Sequence, residues 1–219
     1  MERVKYTDAG GDTIRYLRFP DGLNLPSFHD DMDFEAIASF PLRDDDVLIC
    51  SYPRTGCHWT WEITRMLQTG RTDFEDAADK EDQMLEFKFH GELDHVPTIW
   101  EYKGKFSNWL PLFLSGQVDY GAYSDYLLDW EREIAKHPDL PVHVLSYEAL
   151  HRTPATDELA KLSSFLGKNY TASFLKSVAD ACSFQRIVKR KGQKWANSRA
   201  EIHGNLGDSD IEESFMYRK

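Results

Sequence analysis

The residues best equipped for chemistry are grouped in Tyr52-Pro53-Arg54-Thr55-Gly56-Cys57-His58-Trp59. Arg54 brings a fixed fork of charged donors, Thr55 a hydroxyl and His58 a ring nitrogen. Gly56 removes the side chain where backbone has to approach a ligand closely. A helix that starts beyond Gly56 would present N–H groups without intrahelical partners, at the positive end of its dipole. That combination suits a phosphate or a sulfate. The same residue types also describe an ordinary tight turn from strand to helix, and types alone leave both readings open. A Walker loop is excluded, because the four-residue gap between glycines and the Gly-Lys-Ser/Thr ending are missing.

The flanking sequence must position this loop. Val47-Leu48-Ile49-Cys50-Ser51 is a short apolar, branched run, which predicts a strand buried on both faces. After the loop, Trp59, Ile63, Met66 and Leu67 recur at helical spacing, and Gly70 ends the pattern. Tyr123, Tyr126, Leu127, Trp130 and Ile134 predict a second amphipathic helix, broken by Pro138 and Pro141. Val142 to Ser146 predicts a second buried strand. Thr153 as N-cap and Pro154 at the first helical position open another helix, with Leu159, Leu162, Phe165 and Leu166 as its buried stripe. Residues 1–30 read as short strands and turns, Asp33 to Phe40 as a short helix, and Phe74 to Phe89 as helical in part. Alternating strands and helices argue for an α/β fold with a mostly parallel sheet in a single domain.

Composition narrows the function. The chain has 219 residues, enough for one domain with a real core. Its 37 acidic and 26 basic residues give a net charge of -11, the opposite of a nucleic-acid binder's field. An anionic ligand must therefore be held by a local site. Three cysteines, Cys50, Cys57 and Cys182, are no disulfide framework and fit a reducing compartment. The sequence has no signal-peptide pattern at its start and no apolar run long enough for a membrane span, so a cytoplasmic protein is expected.

Val47-Leu-Ile-Cys-Ser-Tyr-Pro-Arg-Thr-Gly-Cys-His-Trp59 resembles the signature of the cytosolic sulfotransferases, an apolar strand followed by Tyr-Pro-Lys-Ser-Gly-Thr-Thr-Trp. These enzymes transfer a sulfuryl group from 3′-phosphoadenosine 5′-phosphosulfate (PAPS). The resemblance implies that this loop wraps the 5′-phosphosulfate. Arg54 takes the place of the catalytic lysine, which stabilises the bridging oxygen. Thr55, Gly56, Cys57 and His58 take the other cradle positions, and Trp59 stands near the adenine. Arg54 keeps the charge but spreads it over a plane, and Cys57 is a weaker donor than a hydroxyl.

Further segments resemble the family in the same order. Gly116-Gln-Val-Asp-Tyr-Gly121 is similar to its loop before a helix. Val142 to Glu148 is similar to its strand ending in Tyr-Glu, which puts Tyr147 beside the adenine. Cys182-Ser183-Phe184 is similar to Thr-Ser-Phe, which puts Cys182 and Phe184 in the same base pocket. By type alone, Tyr147 and Phe184 read as packing residues. Phe215-Met-Tyr-Arg-Lys219 resembles the lead into the 3′-phosphate loop, assigning Arg218 and Lys219 to the cofactor. Lys189-Arg-Lys-Gly-Gln-Lys-Trp195 resembles that loop superficially, but follows Cys-Ser-Phe directly and lacks the second glycine; it reads as a solvated basic loop.

Two parts of the family pattern have no counterpart. After Pro97 the sequence passes to a segment that resembles one well downstream, skipping the catalytic histidine and a central strand. At the other gap, the chain stops after Lys219, before the remaining glycines, the Trp and the dimer segment. His90 and His95 stand in the wrong context for the base. The resemblance therefore implies one incomplete sulfotransferase domain over residues 1–219, of α/β, P-loop-like fold with a parallel sheet flanked by helices and missing one central strand. It implies transfer from PAPS, without a metal, to a hydroxyl or amine of a small acceptor such as a phenol, alcohol, steroid or amine. No nucleic-acid or membrane partner is expected, and the protein is expected to be a monomer. The gaps point to impaired turnover. The alternative is a non-catalytic PAP- or PAPS-binding relative, or an inactive truncated isoform.

Overall fold

The computed structural model describes residues 1–26, 34–73, 85, 102, 104–152, 155–183 and 186. Its elements are β1 (Glu2–Thr7), β2 (Thr13–Arg18), β3 (Asn24–Pro26), α1 (Phe34–Ala38), α2 (Cys57–Thr69), α3 (Phe106–Leu114), α4 (Tyr123–Lys136), α5 (Tyr147–His151), α6 (Thr156–Phe165) and α7 (Ala172–Ala181).

The opening strands form where turn chemistry is strongest. Asp8 closes the first turn, its carboxylate accepting the N–H groups of Gly10 at 2.7 Å and Asp12 at 2.9 Å. Gly11 sits at φ +91°, a conformation that favours glycine. The turn sets an antiparallel register from Glu2↔Arg18 to Thr7↔Thr13. A second turn at Pro20-Asp21-Gly22 brings β3 antiparallel to β2, with Tyr16 opposite Pro26. Among the described residues this is the only sheet, in the order β1-β2-β3.

Two compact units can be distinguished, residues 1–64 with 73–148, and 65–72 with 149–219. The first buries Tyr16, Leu17, Leu25, Tyr52, Ile63 and Val118. Asn24, also buried, is satisfied within it: its Nδ2 donates to the Val118 carbonyl and its Oδ1 accepts from Arg18. The second unit buries Met66, Leu67, Leu159, Leu162, Leu175 and Val178, with α6 packed on α7. Tyr170 donates its hydroxyl to the Leu67 carbonyl at 2.8 Å, and Thr171 caps α7 by accepting the Phe174 N–H.

The helices at residues 57–69 and 123–136 form where the periodicity places them, and Phe34–Ala38 is helical within the short helix expected before Pro41. Gly70 ends α2 at φ +68°, its N–H donating to the Met66 carbonyl. Two expectations are corrected. Neither Val47–Ser51 nor Val142–Ser146 is a buried strand, and among the described residues neither pairs into a sheet. Leu48 is 59% exposed and Val144 77%. A strand buried on both faces needs hydrogen-bonding neighbours on its edges and cover above and below; apolar sequence cannot create them. In α6, Leu159 and Leu162 are buried as expected, but Phe165 is exposed. The expected Thr153 cap, the Pro154 start and the helix at Phe74 to Phe89 fall outside the described residues, Leu85 excepted.

Candidate functional site

The loop at residues 52–59 is a hydrogen-bonded turn that feeds directly into α2. The Thr55 N–H donates to the Tyr52 carbonyl at 3.2 Å, and the Thr55 hydroxyl donates to the same carbonyl at 2.6 Å. Arg54 adopts φ +68° and Gly56 φ +116°. A left-handed arginine is uncommon and is retained only where surrounding contacts fix it. The first helical bond of α2 runs from the Thr60 N–H to the Gly56 carbonyl at 2.9 Å. The amides of Cys57, His58 and Trp59 therefore precede any intrahelical acceptor, and α2 carries no acidic residue in its first turn. No carboxylate of the first turn itself offsets the positive end of this 13-residue helix.

Tyr52 anchors the loop from beneath. It is buried and donates its hydroxyl to the Gly121 carbonyl at 2.7 Å. Its ring meets Tyr123 at 5.3 Å, Tyr126 at 5.7 Å and Phe113 at 6.4 Å, all edge-on. The partner loop is pinned in turn, because the Tyr120 N–H donates to the Asn24 carbonyl at 2.7 Å. Residue types gave no warning of Tyr52 or Asn24 as anchors. The Gly116 to Gly121 segment was legible only as a turn before a helix, so the contact that ties it to Tyr52 was not.

The predicted site residues divide into three groups. Arg54, Thr55 and His58 are exposed, while Gly56, Cys57 and Trp59 are half-buried. Tyr147 joins this group. Its ring lies 5.2 Å from Trp59 at 68°, and a Cβ on Gly56 would stand 3.4 Å from its Cδ2. Tyr147 does this from the first turn of α5 instead of from a strand end. Cys182 lies in the second unit, buried, with its sulfur 3.6 Å from that of Met66. Phe184, Arg218 and Lys219 lie outside the described residues, as do His90, His95 and the basic run from Lys189 to Trp195. Among the described residues no group of His, Cys, Asp or Glu could hold a metal. No helix there is long and apolar enough to cross a membrane.

The electrostatics around Tyr52 are set by burial. Desolvation pushes the Asp119 carboxyl above its usual 3.8. Burial, then the Asp119 charge, pushes the Tyr52 phenol up as well. A carboxyl whose folded pKa is raised destabilises the fold in its charged form. That penalty is full above the folded pKa and gone below 3.8, where Asp119 is protonated in both states. Asp119→Asn should therefore raise the melting temperature at pH 7, on the order of one or two degrees. The gain should vanish as the pH falls below the ordinary carboxylate range. Thermal melts of both proteins across pH check this, and a pH-independent difference would contradict it.

A left-handed turn that carries an exposed arginine thus opens directly into a helix. The comparisons give the family. A profile of the sulfotransferase domain matches residues 84–219, more than half of the chain. The chain belongs to the sulfotransferase family. Mouse sulfotransferase 6B1 is 23% identical over 238 positions, covering 85% of this chain and 71% of that protein. A contiguous match that leaves about 33 residues uncovered necessarily includes residues 34–186, and with them the loop. Mouse sulfotransferase 1B1 is 25% identical, covering 71% of this chain and 70% of its own. The crystal structure of mouse sulfotransferase SULT7A1 complexed with PAP superposes with a TM-score of 0.57 at 20% identity, over 78% of this chain and 75% of that one. This last likeness establishes the α/β sulfotransferase fold.

The alignments also measure a deficit. In the 6B1 match, 85% of this chain is about 186 residues set against 238 positions, so about 52 positions have no residue here. In the 1B1 match, 71% is about 155 residues against 212 positions, leaving about 57.

Proposed function

We propose that the chain binds PAPS through the loop at residues 52–59 and is a sulfotransferase whose turnover is impaired. The observation that carries this reading is the turn that enters α2, with Gly56 at φ +116° and no acidic residue in the helix's first turn, the kind of helix start that suits an anion. The structural residues fit the donor. Arg54, Thr55 and His58 add exposed side-chain donors, and Gly56 leaves room where a Cβ would meet Tyr147. Trp59 and Tyr147 supply aromatic surface for the adenine. The resemblance adds Cys182, Phe184, Arg218 and Lys219 to the cofactor set.

When bound, PAPS supplies the activated sulfuryl group and a PAP leaving group. The loop amides would hold the 5′-phosphosulfate, and Arg54 would neutralise charge on the leaving side. Such transfers are catalysed mainly by positioning and charge stabilisation. The acceptor would be the hydroxyl or amine of a small molecule, and the compartment the cytoplasm. We also propose that the domain lacks one central strand of its sheet. The alignment deficit supports this, as does the exposure of Val47, Leu48, Val142 and Val144, the residues such a strand would help to cover.

The same deficit favours a second reading, a non-catalytic relative that binds PAP or PAPS. Calorimetric titration with PAP and radiolabelled sulfate transfer from PAPS to simple phenols and alcohols separate the two. Binding with transfer supports the first and binding without transfer the second. Absence of both defeats the loop assignment.

A further inference from the structure

Among the described residues, two that are not glycine hold the backbone left-handed: Arg54 at φ +68° and Tyr120 at φ +64°. A Cβ makes this conformation costly, and it persists only where surrounding contacts fix it. One hydrogen bond joins the two places. Arg54 lies in the turn that closes on the Tyr52 carbonyl, through the Thr55 N–H at 3.2 Å and the Thr55 hydroxyl at 2.6 Å. Tyr52 donates its own hydroxyl, at 2.7 Å, to the carbonyl of Gly121, the residue after Tyr120. Gly121 is left-handed too, at φ +71°, so two consecutive unusual residues set the direction of that carbonyl. Glycine takes such a φ freely and tyrosine does not.

What holds Tyr120 comes from the opening sheet. Its N–H donates to the Asn24 carbonyl at 2.7 Å. The Asn24 side chain reaches the same segment: its Nδ2 donates at 3.5 Å to the Val118 carbonyl, which also accepts the Gly121 N–H at 3.3 Å. Asn24 is fully buried, pairs with Arg18 in the sheet, and accepts at Oδ1 from the Arg18 Nε at 3.2 Å. A buried polar network satisfied in this way specifies one arrangement. All of these residues belong to the first unit.

We infer that Tyr120 is a positioning residue for the anion loop: its left-handed backbone, held by Asn24, aims the Gly121 carbonyl at Tyr52 and so fixes the turn that Arg54 occupies. Tyr120 acts through its N–H and its φ, not through its ring. If that φ relaxes to negative values, the Gly121 carbonyl turns away and the buried Tyr52 hydroxyl loses its acceptor. The turn then loses its anchor at the residue whose carbonyl closes it. This inference rests on the reading of the loop as the PAPS cradle, and it adds the opening sheet to what donor binding requires.

The test follows variants of the full chain by two readouts, PAP calorimetry and hydrogen exchange of the Thr55 amide. Tyr120→Pro removes the N–H and locks φ near about −65°. PAP affinity should fall about tenfold or more, and the Thr55 amide should exchange faster by a similar factor. Tyr120→Gly, which keeps the N–H and takes the left-handed φ freely, should recover both. Tyr52→Phe keeps the ring among Tyr123 and Tyr126 and deletes only the donor to Gly121, so affinity should fall about three- to tenfold. Combined with Tyr120→Pro it should add nothing, because both break one series of contacts. Losses that multiply overturn the inference. So does a Tyr120→Gly protein as impaired as the proline variant, which would assign the effect to the ring, or a proline variant whose Thr55 amide exchanges as in the parent. If circular dichroism shows that Tyr120→Pro does not fold, Tyr120→Val takes its place, with the same direction expected in both readouts, since a branched side chain makes the left-handed position costlier. If the parent protein binds no PAP, the cradle reading fails and Thr55 exchange alone decides the role of Tyr120.

Discussion

Arg54→Ala should weaken PAP binding by about 10- to 100-fold, the range expected when a charged hydrogen-bonding partner of a phosphate is deleted. The substitution removes the guanidinium and leaves a β-carbon at φ +68°, so the unusual backbone geometry stays under the same constraint. Arg54→Gly separates the two contributions. It loses the same charge but relaxes a left-handed position by about 1 kcal/mol, and should bind PAP as weakly as the alanine variant while melting higher. Arg54→Lys restores a compact ammonium and should recover binding. Calorimetric titration of all three decides the matter, and an alanine variant with unchanged affinity would remove Arg54 from the cradle.

Gly56→Val should have the larger effect, reducing PAP binding below detection. At φ +116° a branched side chain is strained whatever the space around it. The cost of such a position is about 1–3 kcal/mol. A Cβ would make only ordinary contact with Tyr147, at 3.4 Å, so the strain is in the backbone, and relieving it turns the loop or shifts that ring. Either response moves the amides of Cys57 and His58 that open α2. The rest of the first unit rests on Tyr52 and the opening sheet, so the variant should remain folded with a melting temperature lowered by a few degrees. Circular dichroism checks folding and calorimetry checks binding. A folded variant that binds PAP normally would show that the loop does not use Gly56 for close approach.

The sequence was most legible where local physics suffices. Trp59, Ile63, Met66 and Leu67 specify α2, because a helix makes its hydrogen bonds within itself and needs only one covered face. The loop was legible for a related reason, since its glycine and its place before a helix are local features. Val47–Ser51 and Val142–Ser146 were misread as buried strands because a strand borrows its hydrogen bonds and its cover from other segments. Apolar residues state a demand for such neighbours without supplying them, and Val144 at 77% exposed is that demand unmet. Tyr52 was invisible as an anchor for the same reason. Its partners Gly121, Tyr123 and Tyr126 come from some 70 residues further along the chain, and no spacing rule connects them. Family likeness assigned Tyr147 and Trp59 each to the adenine; in the fold their rings meet, with Tyr147 on a helix instead of at a strand end.

The left-handed backbone at Arg54 also bears on how the native protein meets a protease. Trypsin reads an arginine only in an extended segment laid along its cleft, and the bond after Arg54 lies inside a turn closed by two donors from Thr55 to the Tyr52 carbonyl. In the folded protein this exposed arginine is thus shielded by its shape alone. The rate at which trypsin nicks the chain between residues 54 and 55 becomes a clock for how often the turn uncoils.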